Sequence, residues 1–97
     1  MHWTWDHRKA AENVRKHRVS FQLAERVFAD PFAVTLPDPF PYESRWRTIG
    51  VPGTDWPVLL LVVHTWPEAG GDDDVGRIIS ARRAEPHERR AYAEGKF

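Results

Sequence analysis

Apolar positions recur along this chain with two different periods. Between His7 and His17, the residues Ala10, Val14 and His17 fall at i, i+4 and i+7, with Asn13 adjoining. That is the spacing of one helical face. Asp6 stands before the segment as an N-cap, because its carboxylate can accept an orphan backbone N–H. Arg18 and Val19 break the pattern and Ser20 offers a second N-cap. Phe21, Ala24, Val27 and Phe28 then continue at i, i+3, i+6 and i+7 as a second amphipathic helix. Asp30-Pro31 stops it, since proline lacks an N–H and restricts the residue before it.

Beyond that point the period shortens to that of strands. Pro37-Asp38-Pro39-Phe40-Pro41 cannot sit in a central strand and is expected as a loop or a stiff edge. Tyr42–Val51 reads as a strand closed by the turn signal Pro52-Gly53-Thr54-Asp55. Trp56–Trp66 is the strongest strand, and its apolar run Val58–Val63 suits a central position covered on both faces. Residues 68–74 read as a flexible acidic hairpin loop, and Val75–Arg83 as the next strand. Pro86 and Gly95 bracket a short helix, His87–Glu94. Trp3–Trp5 is a candidate first strand. Helices followed by strands imply an α+β fold, with helices on one face of a twisted antiparallel sheet of about four strands.

The 97 residues are expected to form one domain, 1–97, whose core is thin: a chain of this size buries about two-thirds of its unfolded surface. Five tryptophans and five phenylalanines strengthen such a core. They also exceed what it readily buries, so at least one of Trp46, Trp56 and Trp66 is expected at the surface. With no cysteine, disulfides and cysteine-ligated zinc are excluded. The five histidines form no His-x-x-x-His pair, and Asp72–Asp74 lacks the spaced ligands of a calcium loop, so no metal or other cofactor is expected. No apolar run approaches the ~20 residues of a membrane span. Met1–Asp6 lacks the basic and apolar regions of a signal peptide. The expected location is the cytoplasm.

Net charge is zero, but its distribution is uneven. Residues 1–18 and 77–97 each carry +3, and residues 19–76 carry −6. If the two ends meet in the fold they form one basic patch, the footprint of a polyanion site. If they do not, they are two solvated helix faces.

Several segments taken together resemble the BrnT family of toxins. They begin with Trp5-Asp6-x-x-Lys9-Ala10-x-x-Asn13-x-x-Lys16-His17, then Val19-Ser20-Phe21 and Glu25-x-Val27-Phe28-x-Asp30-Pro31. Glu43-x-Arg45-Trp46-x-x-Ile49-Gly50 and Val62-Val63-His64-Thr65 follow. Arg77-Ile78-Ile79-Ser80-Ala81-Arg82-Arg83-Ala84 and Glu88-Arg89-Arg90-x-Tyr92-x-x-Gly95 complete the set. The resemblance implies a RelE-like fold and a metal-independent endoribonuclease acting as the toxin of a type II toxin–antitoxin module. It also implies a BrnA-like antitoxin as partner, RNA as substrate, and contact with DNA only through the antitoxin. A homodimer and a heterotetramer with the antitoxin both remain open. The chain departs from the family pattern twice. Arg18 stands where glycine is usual between His and Val, and Glu85-Pro86-His87 where basic residues are common.

Metal-free RNA cleavage needs a base for the attacking 2′-OH, an acid for the leaving 5′-oxygen and cations for the charged transition state. Arg82, at the end of its strand beside a basic helix, is the candidate phosphate clamp, since guanidinium grips phosphate in a bidentate fork. Arg89 can reach the same phosphate. Arg77 lies five positions from Arg82, so the two point to opposite faces of the strand unless a bulge intervenes. Each arginine has an alternative reading as a solvated salt bridge. His17, at a helix C-terminus, is either an acid or base or a histidine buried on the apolar face. His64 is either catalytic or a core-edge histidine. Glu88 and Glu43 can accept a proton, or simply pair with neighbouring arginines. Lys9, Arg45, Arg77 and Arg83 are the candidate RNA-binding cations. The alternative function is a non-catalytic subunit that binds an antitoxin and acts in operon repression.

Overall fold

The computed structural model describes residues 2–66 and 74–96. In chain order the elements are β1 (His2–Thr4), α1 (His7–His17), α2 (Phe21–Glu25) running into a 3-10 turn (Arg26–Ala29), β2 (Val34–Asp38), β3 (Arg45–Gly50), β4 (Leu60–His64), β5 (Val75–Arg83) and α3 (Pro86–Glu94). The sheet has five strands in the order β1-β5-β4-β3-β2. All neighbours are antiparallel except β1, which pairs parallel to β5 through His2↔Val75, Trp3↔Gly76 and Thr4↔Arg77.

The α+β class holds, and several details change. The sheet is mixed and five-stranded, not four-stranded and antiparallel. β1 has three residues and meets its partner more than seventy positions later, so neither period nor local turn signals can reveal the pairing. The second helix keeps only five α-helical residues before tightening into the 3-10 turn. Phe21, Ala24 and Val27 are spaced by three, the period of a 3-10 helix rather than of an α-helix. In β4 the ladder covers only Leu60–His64, because Pro57 and the local bond from Val58 N–H to the Trp56 carbonyl occupy the start of the expected run. β3 likewise begins at Arg45 rather than Tyr42. The Pro37–Pro41 segment divides: Pro37 and Asp38 end the edge strand β2, whose first residues carried no expected strand, and residues 39–41 form a loop. Of the expected acidic loop only Asp74 lies within the described residues.

The two faces of the sheet are covered differently. On one, α1, α2 and the 3-10 turn enclose Val19, Phe21, Ala24, Val27, Leu60, Val62, Ile78 and Ala81. Trp3, lying over Gly76, extends this core, and a side chain at Gly76 would collide with its indole. On the other face α3 covers a smaller cluster of Ile49, Leu61 and Ala84 with Tyr92 packed against it. Helices therefore lie on both faces, not on one.

At roughly 2 kcal/mol per fully buried aliphatic side chain, the second cluster is a weak anchor for α3. Polar ties supplement it. Asp30 accepts hydrogen bonds from Val51 N–H (2.9 Å), Phe32 N–H (2.9 Å) and the Tyr92 hydroxyl (2.7 Å). Burial acts to raise the Asp30 pKa, but these donors hold it below the usual carboxylate range. Burial and the Asp30 charge push the Tyr92 hydroxyl up to about 12. Gly50 leaves room for this junction: a Cβ there would stand 2.9 Å from Val27 Cγ1 and 3.1 Å from Asp30 Oδ2. Trp56 and Trp66 are the exposed tryptophans, 52% and 36% accessible, whereas Trp46 is half-buried.

Candidate active site on the open sheet face

α1 brings the N-terminal charges to the C-terminal strand. Asp6 caps it by accepting from the Arg8 and Lys9 N–H groups, and Arg18 ends it in the left-handed region with φ 61°. The helix docks on β5. Its buried residue is Asn13, whereas Val14 is 44% exposed, so the apolar stripe expected through Ala10, Val14 and His17 is displaced by one position. The displacement turns His17 outward, which removes the buried reading of that histidine. Lys9, Glu12, Asn13, Lys16 and His17 line a groove of about 220 Å³ with Ile79 and Ser80 of β5. The two ends of the chain meet here through α1 and β5, and the cations lining the groove, Lys9 and Lys16, come from α1.

A bulge in β5 decides which way its arginines point. Val63 pairs with Ser80 and the next residue, His64, with Ile78, so one residue of β5 is extra. Ile78 and Ala81, an odd number apart, consequently both enter the helix-side core. Arg77 and Arg82 are thrown together onto the opposite face. Arg45 and Arg47, alternating with Trp46 and Thr48 on β3, share that face. Where α3 does not reach, four arginines thus surround Val63 and Ser80.

Their partners differ. Arg82 donates to both carboxylate oxygens of Glu88, at 2.8 and 2.9 Å, and also to the Arg83 carbonyl. Glu88, 2% exposed, accepts in addition from Glu85 N–H at 2.8 Å, half of a capping box that starts α3 behind Pro86. Burial acts to raise the Glu88 pKa, yet the Arg82 hydrogen bonds, Glu85 N–H and the Arg82 charge bring it below its ordinary value. Glu43 is shared: it accepts from Arg45 Nε (3.0 Å) and from Arg77, and the Arg45 bond first of all lowers its pKa. Arg47 Nε lies 3.0 Å from Asp38 Oδ1 but out of line for a hydrogen bond. Arg89 folds back onto the Ala84 carbonyl at 3.0 Å, in the corner where β5 passes into α3.

His64 sits on the other face, fully buried among Trp3, Phe28 and Trp66 with ring centroids 5.2, 4.7 and 4.9 Å away. Its Nε2 is 2.7 Å from Thr48 Oγ1 and its Nδ1 is 3.0 Å from the Thr65 carbonyl. Burial lowers its pKa to about 4, so it is neutral and occupied, a core histidine. Among the described residues, Glu85, His87 and Glu88 bring potential metal ligands within 4.8 Å of one another. Both oxygens of Glu88 accept hydrogen bonds from the Arg82 guanidinium.

Residues 5–88 match the family model described as the ribonuclease toxin BrnT of type II toxin–antitoxin systems. The chain belongs to the BrnT family. The 1.1 Å crystal structure of the Brucella abortus ribonuclease toxin BrnT is similar to it in fold, with a TM-score of 0.59 at 20% identity, covering 88% of this chain and 99% of that one. No curated protein matches the chain in sequence. Membership implies a ribonuclease toxin at the level of the family and a protein antitoxin as partner. Among the described residues no helix is long and apolar enough to cross a membrane.

Set against this BrnT fold, the sequence-derived candidates separate into groups. Arg45, Arg77 and Arg82 share the open face, Lys9 and His17 line the groove at the edge of β5, and Arg89 and Glu88 meet at the β5–α3 corner. Arg83 pairs in register with Leu60 of the helix-side core and so leaves the sheet on the other side. Two residues of the open face were not singled out in the sequence. Arg47 is signalled by its two-residue spacing from Arg45, whereas Ser80 becomes visible only through the bulge.

Proposed function

We propose that the open face of the sheet binds single-stranded RNA and that this chain is a metal-independent endoribonuclease toxin, neutralised by a BrnA-like antitoxin that covers the same face. The observation that carries the reading is the bulge opposite Val63/His64, which gathers Arg77 and Arg82 beside Arg45 and Arg47. Four guanidinium groups on one open surface suit the successive phosphates of a flexible strand. Arg77, with 45% of its side chain exposed, is the cation most available to a phosphate. Glu88 then acts as a positioning residue: it fixes the Arg82 fork and leaves Arg82 Nε and one Nη2 proton for the substrate. His17, solvent-facing in the adjoining groove with Lys9 and Lys16, is the acid or base of the reaction. The toxin acts as one domain in the cytoplasm, and it reaches DNA only through its antitoxin.

One observation favours a second reading. The bidentate edge of Arg82 is filled by Glu88, which would suit a scaffold that binds an antitoxin and represses its operon without cutting RNA.

The deciding experiment is induction of the chain alone in bacteria, followed by incubation of the purified protein with RNA in excess chelator. Growth arrest and chelator-resistant cleavage are expected, both weakened at least tenfold by Arg77→Ala and by His17→Ala. Cleavage that chelator abolishes and magnesium restores would overturn the metal-free mechanism. Folded protein that neither arrests growth nor cuts RNA would leave the scaffold reading in its place.

A further inference from the structure

Tyr42 is the most exposed of the large apolar side chains, 85% accessible, yet it stands on a stretch of chain built to be stiff. Pro37, Pro39 and Pro41 fix alternate φ angles before it. Asp38 Oδ2 accepts from Phe40 N–H at 3.1 Å and closes the turn. Phe40 meets the Tyr42 ring edge-on, with centroids 5.5 Å apart, and carries the Arg45 guanidinium 3.7 Å from its own centroid. An open cleft of about 440 Å³ lies among these residues, ample for one nucleobase. Two carboxylates line the cleft: Glu43, shared by Arg45 and Arg77, and Asp38, 3.0 Å from Arg47 Nε, so three guanidinium groups stand against two carboxylates where the cleft continues into the open sheet face.

We infer that this cleft is a base-stacking subsite, in which one unstacked base of an RNA strand lies against the Tyr42 ring while an adjacent phosphate is held by Arg77. The inference rests on the RNA-binding reading above and deepens it by naming where a base is gripped. A rigid, solvent-facing aromatic loses little conformational freedom when a flat partner covers it. Every base has a π-face, and the stacking of bases on aromatic rings is the general way proteins hold single strands. The nearby guanidinium groups supply the complement to the phosphate charge. A protein partner would use the same tyrosine differently, and the experiment separates the two.

The probe is a fluorescein-labelled, mixed-sequence 2′-O-methyl RNA octamer, which cannot be cleaved because its 2′-oxygen is blocked, together with the same octamer made abasic. Binding is read by anisotropy for the parent, Tyr42→Phe, Tyr42→Ala and Arg77→Ala. Tyr42→Ala is expected to weaken the normal octamer about tenfold, with Tyr42→Phe close to the parent. On the abasic octamer the parent and Tyr42→Ala should bind alike. If Tyr42→Ala binds the normal octamer as the parent does while Arg77→Ala binds it less well, the subsite is wrong and the RNA reading stands. If the parent itself binds no RNA, both fall. A loss confined to binding of the protein antitoxin would make Tyr42 a protein contact and overturn the subsite. Tyr42 touches little besides Phe40, so its substitutions are expected to fold, and circular dichroism checks this.

Discussion

Asn13 of α1 takes the place of a neighbouring strand beside Ala81 of β5. Its side-chain amide donates to the Ala81 carbonyl at 2.7 Å and its side-chain carbonyl accepts from Ala81 N–H at 3.1 Å. A third bond, to the Val19 carbonyl at 2.8 Å, ties in the turn that follows the helix. These bonds continue the edge of β5 beyond Arg77, where β1 ends. Asn13→Ala leaves three buried backbone groups without partners, and a loss of about 3 kcal/mol is expected. Asn13→Asp keeps the acceptor and loses both donors, so it should also destabilise. Urea unfolding checks this; a loss below about 0.5 kcal/mol would mean that the amide does not organise the edge.

Arg18 is the only described non-glycine residue with positive φ. Its N–H still closes α1 by donating to the Val14 carbonyl at 2.9 Å. The left-handed conformation strains an L-residue with a side chain by about 1 kcal/mol, and glycine relieves it. Arg18→Gly should therefore raise the thermal midpoint, by roughly 4–8 °C for a domain of this size. An unchanged or lowered midpoint in a calorimetric scan would count against the strain.

Removing Arg82 has a structural effect that precedes any effect on RNA. Arg82→Ala leaves the enclosed Glu88 carboxylate without its guanidinium partner, and a loss of about 3 kcal/mol or more is expected. Lost toxicity in that variant would by itself say nothing about phosphate binding. The double variant Arg82→Met, Glu88→Leu should recover much of the stability while still failing to bind RNA. Denaturation of the single and double variants tests the point: equal stabilities would show that the pair is not coupled.

His64 makes the fold sensitive to acid. Its folded pKa of about 4 lies below its ordinary 6.5, so the unfolded chain binds more protons between those values. The stabilisation is complete above pH 6.5 and is lost as pH falls towards 4, on the order of 3 kcal/mol in all. Asp30 and Glu88, whose pKa values are lowered, add losses at the acid end of that range and below. His64→Gln retains an amide for Thr48 and does not titrate. Its urea midpoint should depend less on pH between 6.5 and 4.5 than the parent's, and equal slopes would exclude the histidine as the cause.

What could be read from the sequence was whatever depends on neighbours along the chain. Asp6 and Ser20 were legible as caps, β5 was legible to its end residues, and Pro37–Pro41 was legible as a loop or an edge, though the strand β2 before it was not. The contacts that join distant segments were not. Asp30, Gly50 and Tyr92 were visible as separate motif residues, but their meeting at one carboxylate depends on packing between the end of β3 and α3. Arg77 and Arg82 were set on opposite faces by strict alternation, with a bulge as the one exception, and no side chain near Ile79 announces that bulge. His17 followed the apolar stripe in the sequence and faces water in the fold, because a buried amide rather than a valine anchors α1.

The pairing of β1 with β5 also sets an order of events during synthesis. The first strand leaves the ribosome with nothing to pair with until Val75–Arg77 has followed it, and α1 has no edge to grip until Ala81 appears. Bringing such remote segments together carries the entropy of a long loop, so these contacts form late. A nascent chain interrupted anywhere before residue 81 therefore lacks both the anchored helix and the arginine pair of β5. The cationic face is therefore assembled only once the whole of β5 has been made.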